Sequence, residues 1–239
     1  VAEDAFTTLA FVTLDARGER SFSFARKPGA DTVLRFDELE LSLIDQSRAF
    51  HFGALSLTDE PARSATRQAV AYARAQGKLV TFDPNYRPPL WRSEAQARAE
   101  TLWGLEQADV VKLSDEELSF LWGCTPEEGA RRLREECGVA LAMITLGPQG
   151  CYLENARGAC RVPAPAVRPV DTTGAGDAFF AGITMGLTYG KTMDEACEIG
   201  TRLSASVICT SENVCPRFLP SEFGLEPGRA AGDQLTFDI

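Results

Sequence analysis

The sequence predicts an α/β protein with a mostly parallel sheet. Short strand-like runs, such as Leu79-Val80-Thr81-Phe82 and Asp109-Val110-Val111-Lys112-Leu113, alternate with longer stretches of helical periodicity, and the loops between them are short. Such alternation covers both faces of the strands with helices, which is how a parallel sheet is buried. With 239 residues, 44% hydrophobic and 24% charged, the chain has material for a sizeable core. One domain over 1–239 is expected, with a partial β appendage at about 6–27.

In chain order, Phe6 to Leu14 is rich in threonine, valine and aromatic residues and reads as a strand. Asp15 to Glu19 is a turn, and Arg20 to Ala25 alternates as the returning strand. Phe50-His51-Phe52 is strand-like, with His51 expected as a strand-end core residue. Thr58-Asp59-Glu60-Pro61 signals a helix start, followed by an amphipathic helix over 62–76 that turns Ala65, Ala69, Tyr72 and Ala73 to the core and ends at Gly77. Residues 79–82 form a buried strand that leads into the stiff polar loop Asp83-Pro84-Asn85-Tyr86-Arg87-Pro88-Pro89. A helix is expected over 94–107, a strand over 109–113, and a helix from Ser114 to Trp122 opened by a capping box between Ser114 and Glu117. Thr125-Pro126 opens another helix that ends by Gly138. Ala140 to Leu146 is a strand closed by Gly147-Pro148-Gln149-Gly150, and Cys151–Leu153 with Cys160–Val162 forms a hairpin. Two helices, 175–188 and 194–209, follow the extended 163–169 stretch. The tail from Ser211 to Ile239 reads as irregular, with one closing strand.

The net charge of −10 argues against nucleic acid or an anionic membrane as the main partner. No apolar run approaches the length needed to span a bilayer, and the first residues are too acidic for a secretory signal. Seven cysteines, an odd number with no C-x-x-C spacing, suit reduced thiols in the cytoplasm better than a disulfide framework or a zinc site. A single histidine excludes chemistry that needs two.

Four polar loops follow expected strand ends: Asp83-Pro84-Asn85, Lys112-Leu113-Ser114, Thr145-Leu146-Gly147 and Thr172-Thr173-Gly174. In an open α/β sheet the ligand crevice lies beyond these ends. The last loop belongs to Asp171–Gly182, DTTGAGDAFFAG, where Gly174, Ala175 and Gly176 precede an apolar helix. A glycine turn that presents free amides at a helix N-terminus binds anions, and Asp177 stands in the first turn beside them. The alternative is a turn that only caps a core helix, with Asp177 complementing its dipole.

DTTGAGDAFFAG resembles the C-terminal signature of the ribokinase-like (PfkB) carbohydrate kinases. FDPNYRPPLW at 82–91, VKLSDEEL at 111–118 and ITLGPQG at 144–150 extend the likeness, and SFSFARKPGAD at 21–31 is similar to the lid and sugar-contact region of fructokinases. The resemblance runs from about Phe6 to Thr210. It implies a three-layer α/β/α fold with a small β lid, and transfer of the ATP γ-phosphoryl group to a sugar hydroxyl, with fructose as the expected sugar. By this resemblance Asp177 takes the proton of the attacking hydroxyl, and the Gly174, Ala175 and Gly176 amides hold charge on the moving phosphoryl oxygens. A carboxylate in a helix first turn is a weak base, but the loose transition state of phosphoryl transfer asks for positioning more than early proton removal. Lys112, Ser114, Thr145, Gly147 and Gly150 are expected along the nucleotide. Glu117 organises Mg2+ through water in the family, and Asp171 and Thr173 match positions that support a K+ site. Asn85, Arg87 and Arg26 are the expected sugar contacts, and a homodimer through the lid is a hypothesis resting on the 6–25 hairpin.

The sequence departs from the family in four places. The family's first strand, glycine pair and main sugar-binding aspartate are absent, so either the numbering begins inside a longer protein or activity has been lost. Ser114 replaces the usual asparagine. Gly200-Thr201-Arg202-Leu203 and Glu212-Asn213-Val214-Cys215-Pro216 replace stretches usual near adenine and the cation. Two other readings stay open: a 2-keto-3-deoxygluconate kinase, with Arg26 and Arg87 facing an acid sugar, and a non-catalytic nucleotide-binding relative.

Overall fold

The computed structural model describes residues 3–14, 20–210 and 219–225, and the chain divides into two compact units, 1–108 and 109–239. The expected Asp15–Glu19 turn, the 212–216 stretch and most of the tail with its closing strand lie outside the described residues.

The first unit opens on an antiparallel hairpin of β1 (Leu9–Leu14) and β2 (Arg20–Ala25), in register from Leu9 opposite Ala25 to Leu14 opposite Arg20. Leu9, Phe11 and Val12 stay largely exposed, whereas the Phe22 and Phe24 rings stack at 6.3 Å. After β2 the chain is tied down at Arg26, which is only 8% exposed. Its Nε donates to Asp31, its Nη1 to Thr58 Oγ1 and its Nη2 to the Leu55 carbonyl, each at 2.8 Å. Burial pushes the Asp31 carboxyl up, but hydrogen bonds from Thr8 and Arg26, and the charge of Arg26, outweigh this and hold it below the usual carboxylate range. A carboxyl lowered in the folded state stabilises above its unfolded pKa of about 4, and that contribution is lost as pH falls through the lowered value. We predict that Arg26→Met strands the Thr58 and Leu55 acceptors and costs about 2 kcal/mol, a fall in Tm of roughly 4–8 °C by scanning calorimetry.

The short helix α1 (Leu41–Gln46) leads to β3 (Ala49–Gly53), α2 (Ala62–Ala75), β4 (Leu79–Asp83) and α3 (Glu94–Gln107). Strands β3 and β4 pair in parallel, Ala49 opposite Leu79 through Gly53 opposite Asp83, with α2 as the crossover. Every residue of β4 is buried, as a strand covered on both faces requires. Helix α2 buries Ala62, Ala65, Ala69, Val70 and Ala73. Tyr72 departs from its expected core position, because its hydroxyl reaches out to Asp45 at 2.8 Å. His51 is likewise exposed rather than in the core. Alternation along β3 buries Phe52 and turns His51 to the other face, where its Nδ1 lies 3.0 Å from Thr81 Oγ1. Ser93 caps α3 by accepting from the Gln96 amide.

The second unit carries β5 (Val110–Ser114), α4 (Asp115–Leu121), α5 (Pro126–Glu135), β6 (Leu141–Thr145), β7 (Cys151–Asn155), β8 (Gly158–Val162), α6 (Ala175–Thr188) and α7 (Met193–Ile208). Strands β5 and β6 are parallel, while β6–β7 and β7–β8 are antiparallel, so the expected hairpin closes a mixed sheet. The Val110–Leu113 and Leu141–Ile144 stretches are buried throughout. Helices α6 and α7 cross backbone to backbone. A Cβ on Gly182 would stand 2.6 Å from Gly200 Cα, and one on Gly200 would stand 2.5 Å from the Phe179 carbonyl oxygen. Among the described residues no helix is long and apolar enough to cross a membrane.

Candidate active site

The turn before α6 is held from both sides. The Val170 and Asp171 amides donate to the Ile208 carbonyl at the end of α7, and Asp171 Oδ1 accepts from the Thr173 amide at 2.8 Å. Gly174 then takes a left-handed conformation, φ 80°, which glycine reaches without steric cost, and caps α6. The Ala175 amide donates to the Thr172 carbonyl at 3.2 Å, and the Ala178 amide donates to the Gly174 carbonyl at 2.9 Å. This differs from the sequence expectation for Ala175, whose N–H serves the turn itself. The Gly176 and Asp177 amides take no partner among the described residues, so they are the donors this helix start offers. The Asp177 side chain is exposed.

Lys112 joins this turn. It is 7% exposed on β5, and a Cβ on Gly176 would stand 3.2 Å from Lys112 Nζ, so the ammonium lies close against the first turn of α6. A buried ammonium beside the positive end of a helix gains from an anion placed between the two. The chemistry of this donor set, one ammonium and two amides, suits phosphate oxygens.

Ser114 and Thr145 stand opposite each other at the ends of β5 and β6. Thr145 Oγ1 faces the Leu113 carbonyl at 3.4 Å. The expected capping box is present: the Ser114 amide donates to Glu117 Oε2 at 2.8 Å, and the Glu117 amide donates to Ser114 Oγ at 3.1 Å. Glu117 is buried, so any water-held metal would have to use what this cap leaves of its carboxylate. The two glycines of the next loop look alike in sequence and differ in space. Gly147, at φ 54°, opens on empty space, whereas Gly150, at φ 86°, backs onto β8, where a Cβ would fall 1.9 Å from the Val162 carbonyl oxygen. Gly150→Ala is therefore expected to cost about 3 kcal/mol through strain and clash, read as a lowered urea midpoint. Gly147→Ala adds only the left-handed penalty of about 1 kcal/mol.

The first unit holds the other expected contacts. Asn85 has a left-handed backbone, φ 48°, and its amide donates to Asp83 Oδ1 at 3.2 Å, an arrangement asparagine tolerates at functional loops. The half-buried Arg87 places its guanidinium 4.9 Å from the centre of the Phe22 ring on β2 and donates to the Tyr86 carbonyl. Phe22 is a partner that sequence reasoning missed, since aromatic alternation in a hairpin does not show what lies over the ring. At Arg26, another expected sugar contact, each guanidinium nitrogen already has a protein partner.

Parallel βαβ pairing, a glycine turn and a buried lysine beside a helix N-terminus define an α/β protein with a candidate anion site. The model of the pfkB family of carbohydrate kinases matches residues 1–217, and the chain belongs to that family. It is 40% identical to fructokinase-1 of rice (Oryza sativa subsp. japonica) over 226 residues, which cover 90% of this chain and 69% of the rice protein. It is 46% identical to fructokinase-1 of Zea mays over 176 residues, covering 72% of this chain and 54% of that one. The chain thus spans between about half and two-thirds of these relatives. Among solved structures, a fructokinase double mutant from Vibrio cholerae O395 in fructose, ADP and potassium ion bound form superposes with a TM-score of 0.76 at 29% identity, covering 85% of this chain and 68% of that one. A fructokinase from Xylella fastidiosa with bound ATP gives 0.76 at 29% identity over 88% and 70%. These neighbours share the ribokinase-like α/β fold with this chain.

Proposed function

We propose that the protein is an ATP-dependent fructokinase that moves the γ-phosphoryl group to a hydroxyl of fructose. The observation that carries this reading is the start of α6, whose first turn carries two uncommitted amides and the exposed Asp177 carboxylate, with the buried Lys112 ammonium beside Gly176. The Gly176 and Asp177 amides and Lys112 hold the transferred oxygens, and Asp177 receives the hydroxyl proton as the bond to phosphorus forms. Fixed donors cost no reorganisation as charge moves, so positioning supplies most of the acceleration. Thr145, Gly147 and Ser114 line the nucleotide side, and Gly147 lets a phosphate approach the backbone. Gly150 serves the nucleotide only by shaping that loop.

Mg2+ accompanies ATP in this reading, with Glu117 holding its water shell; when bound it neutralises phosphate charge and aligns the chain of phosphates. Asp171 and Thr173 are the proposed support for K+, in keeping with the potassium bound by the Vibrio cholerae relative. Asn85 and Arg87 are the proposed sugar contacts. Because each Arg26 nitrogen already serves a protein acceptor and the charge is paired with Asp31, Arg26 is a poorer partner for an acid sugar, which favours fructose over 2-keto-3-deoxygluconate. A coupled ADP-release assay with the two sugars tests the choice: fructose should give the larger kcat/KM, and faster turnover of the acid sugar would overturn it. ADP release with neither would favour a non-catalytic relative. Two copies are proposed to pair through the β1–β2 hairpin, whose exposed Leu9, Phe11 and Val12 would be covered; a sedimentation experiment showing only monomer at micromolar concentration would contradict this.

A further inference from the structure

Where α7 packs against the β7–β8 hairpin, two thiols meet that phosphoryl transfer does not use. Cys151 begins β7 and Cys197 lies in the second turn of α7. They are 4% and 1% exposed, and their sulfurs are 3.8 Å apart, in hydrogen-bond contact. The pair is asymmetric. The hydrogen bond from Cys151, joined by one from Thr201, holds the Cys197 thiol below its usual range against the effect of burial. The same contact, with burial, pushes the Cys151 thiol up. Cys160 shares the Cys151 face of the hairpin, because Cys151 stands opposite Val162 and Leu153 opposite Cys160. Its sulfur lies instead 3.9 Å from Asp194 Oδ1, and burial with that carboxylate pushes its thiol up.

We propose that Cys151 and Cys197 are a redox-active pair that closes to an intrachain disulfide under a peroxide. The Cys197 thiolate attacks one peroxide oxygen, the O–O bond breaks, and hydroxide leaves to become water, giving a sulfenic acid at Cys197. The Cys151 sulfur then attacks the Cys197 sulfur and expels the hydroxyl group, which departs as a second water with the thiol proton. Two thiols and one hydrogen peroxide become one disulfide and two waters; each sulfur is oxidised by one electron and the peroxide is reduced by two. Bonding requires the sulfurs to close from 3.8 Å to about 2.05 Å. The bond would join β7 to α7 and enclose β8, the Asp171–Asp177 turn and α6 in one covalent loop. It would thus brace the elements that position that turn, and thiol reductants would release it.

The alternative is that both cysteines are inert small apolar residues at a helix–sheet contact. Peptide mapping of the intact protein separates the two. The protein is treated with hydrogen peroxide and unfolded in urea, its remaining thiols are blocked with N-ethylmaleimide, and it is digested with trypsin without reduction. The proposal expects the 135–157 peptide joined to the 192–202 peptide, with fragmentation placing the link at Cys151 rather than Cys137, and loss of the link with dithiothreitol. Oxidation should also raise Tm by roughly 5–15 °C, reversed by the reductant. Cys160→Ala should keep both signals, and Cys151→Ala should lose both. The proposal is overturned if Cys151 and Cys197 remain maleimide-labelled at peroxide levels that oxidise the exposed Cys209, or if Cys197 is found linked to Cys160 instead.

Discussion

Asp177→Asn is expected to lower turnover with fructose about a thousandfold while leaving Tm within roughly 2 °C and ATP affinity within about threefold. The separation of effects follows from where the side chain stands. Asp177 is exposed and makes no hydrogen bond or ion pair among the described residues, so an isosteric amide removes little that the fold uses. The loss of a negative charge from the first turn of α6 costs no more than about 0.5 kcal/mol. Its backbone amide, one of the two uncommitted donors, survives the substitution, so the nucleotide keeps that contact. What disappears is the only group in the first turn able to accept a proton from the sugar. Steady-state kinetics, calorimetric scanning and nucleotide titration on the same preparation distinguish this outcome. A variant with near-normal kcat would remove Asp177 from the mechanism.

Gly200→Val is expected to have the largest effect on stability, about 3 kcal/mol or more, read as a fall in Tm of roughly 6–12 °C. At this position a first side-chain carbon already meets the Phe179 carbonyl oxygen at 2.5 Å and the Ile183 side chain at 2.9 Å. Backbone cannot rotate away as a side-chain tip can, so α7 must lift from α6. Phe179 lies two residues beyond Asp177, and the same helix pair anchors the turn, through the bonds from Val170 and Asp171 to Ile208. Turnover should therefore fall with stability, and in contrast to Asp177→Asn, part of it should return on cooling. A variant as stable as the parent would show that the two helices are not held at backbone distance.

Much of the fold was legible because its signals are local. The 94–107 helix has its N-cap serine in place, the 175–188 helix has a glycine turn before it and Gly190 after it, and the 20–25 strand alternates cleanly. Helix α1 was missed because its six residues bury only Ile44 and carry no side-chain cap. The site was legible where a motif is contiguous, as in the Gly174–Asp177 turn and the Ser114–Glu117 capping box. It was not legible where partners come from afar. The occupation of Arg26 depends on Asp31, Leu55 and Thr58, and the contrast between Gly147 and Gly150 depends on the Val162 carbonyl. The fate of the Ala175 amide turns on the path of Thr172, which composition does not encode. The meeting of Cys151 and Cys197 joins a strand start to a helix 46 residues away, with no shared motif.

The central claim is that a phosphoryl group passes from ATP to fructose at the start of α6. Incubation of the protein with γ-32P-labelled ATP and fructose, followed by separation of the products, tests it most directly. The account predicts label in a fructose phosphate ester, formed in a one-to-one ratio with ADP and nearly abolished in Asp177→Asn. Label that stays on ATP, or emerges only as inorganic phosphate, would contradict it.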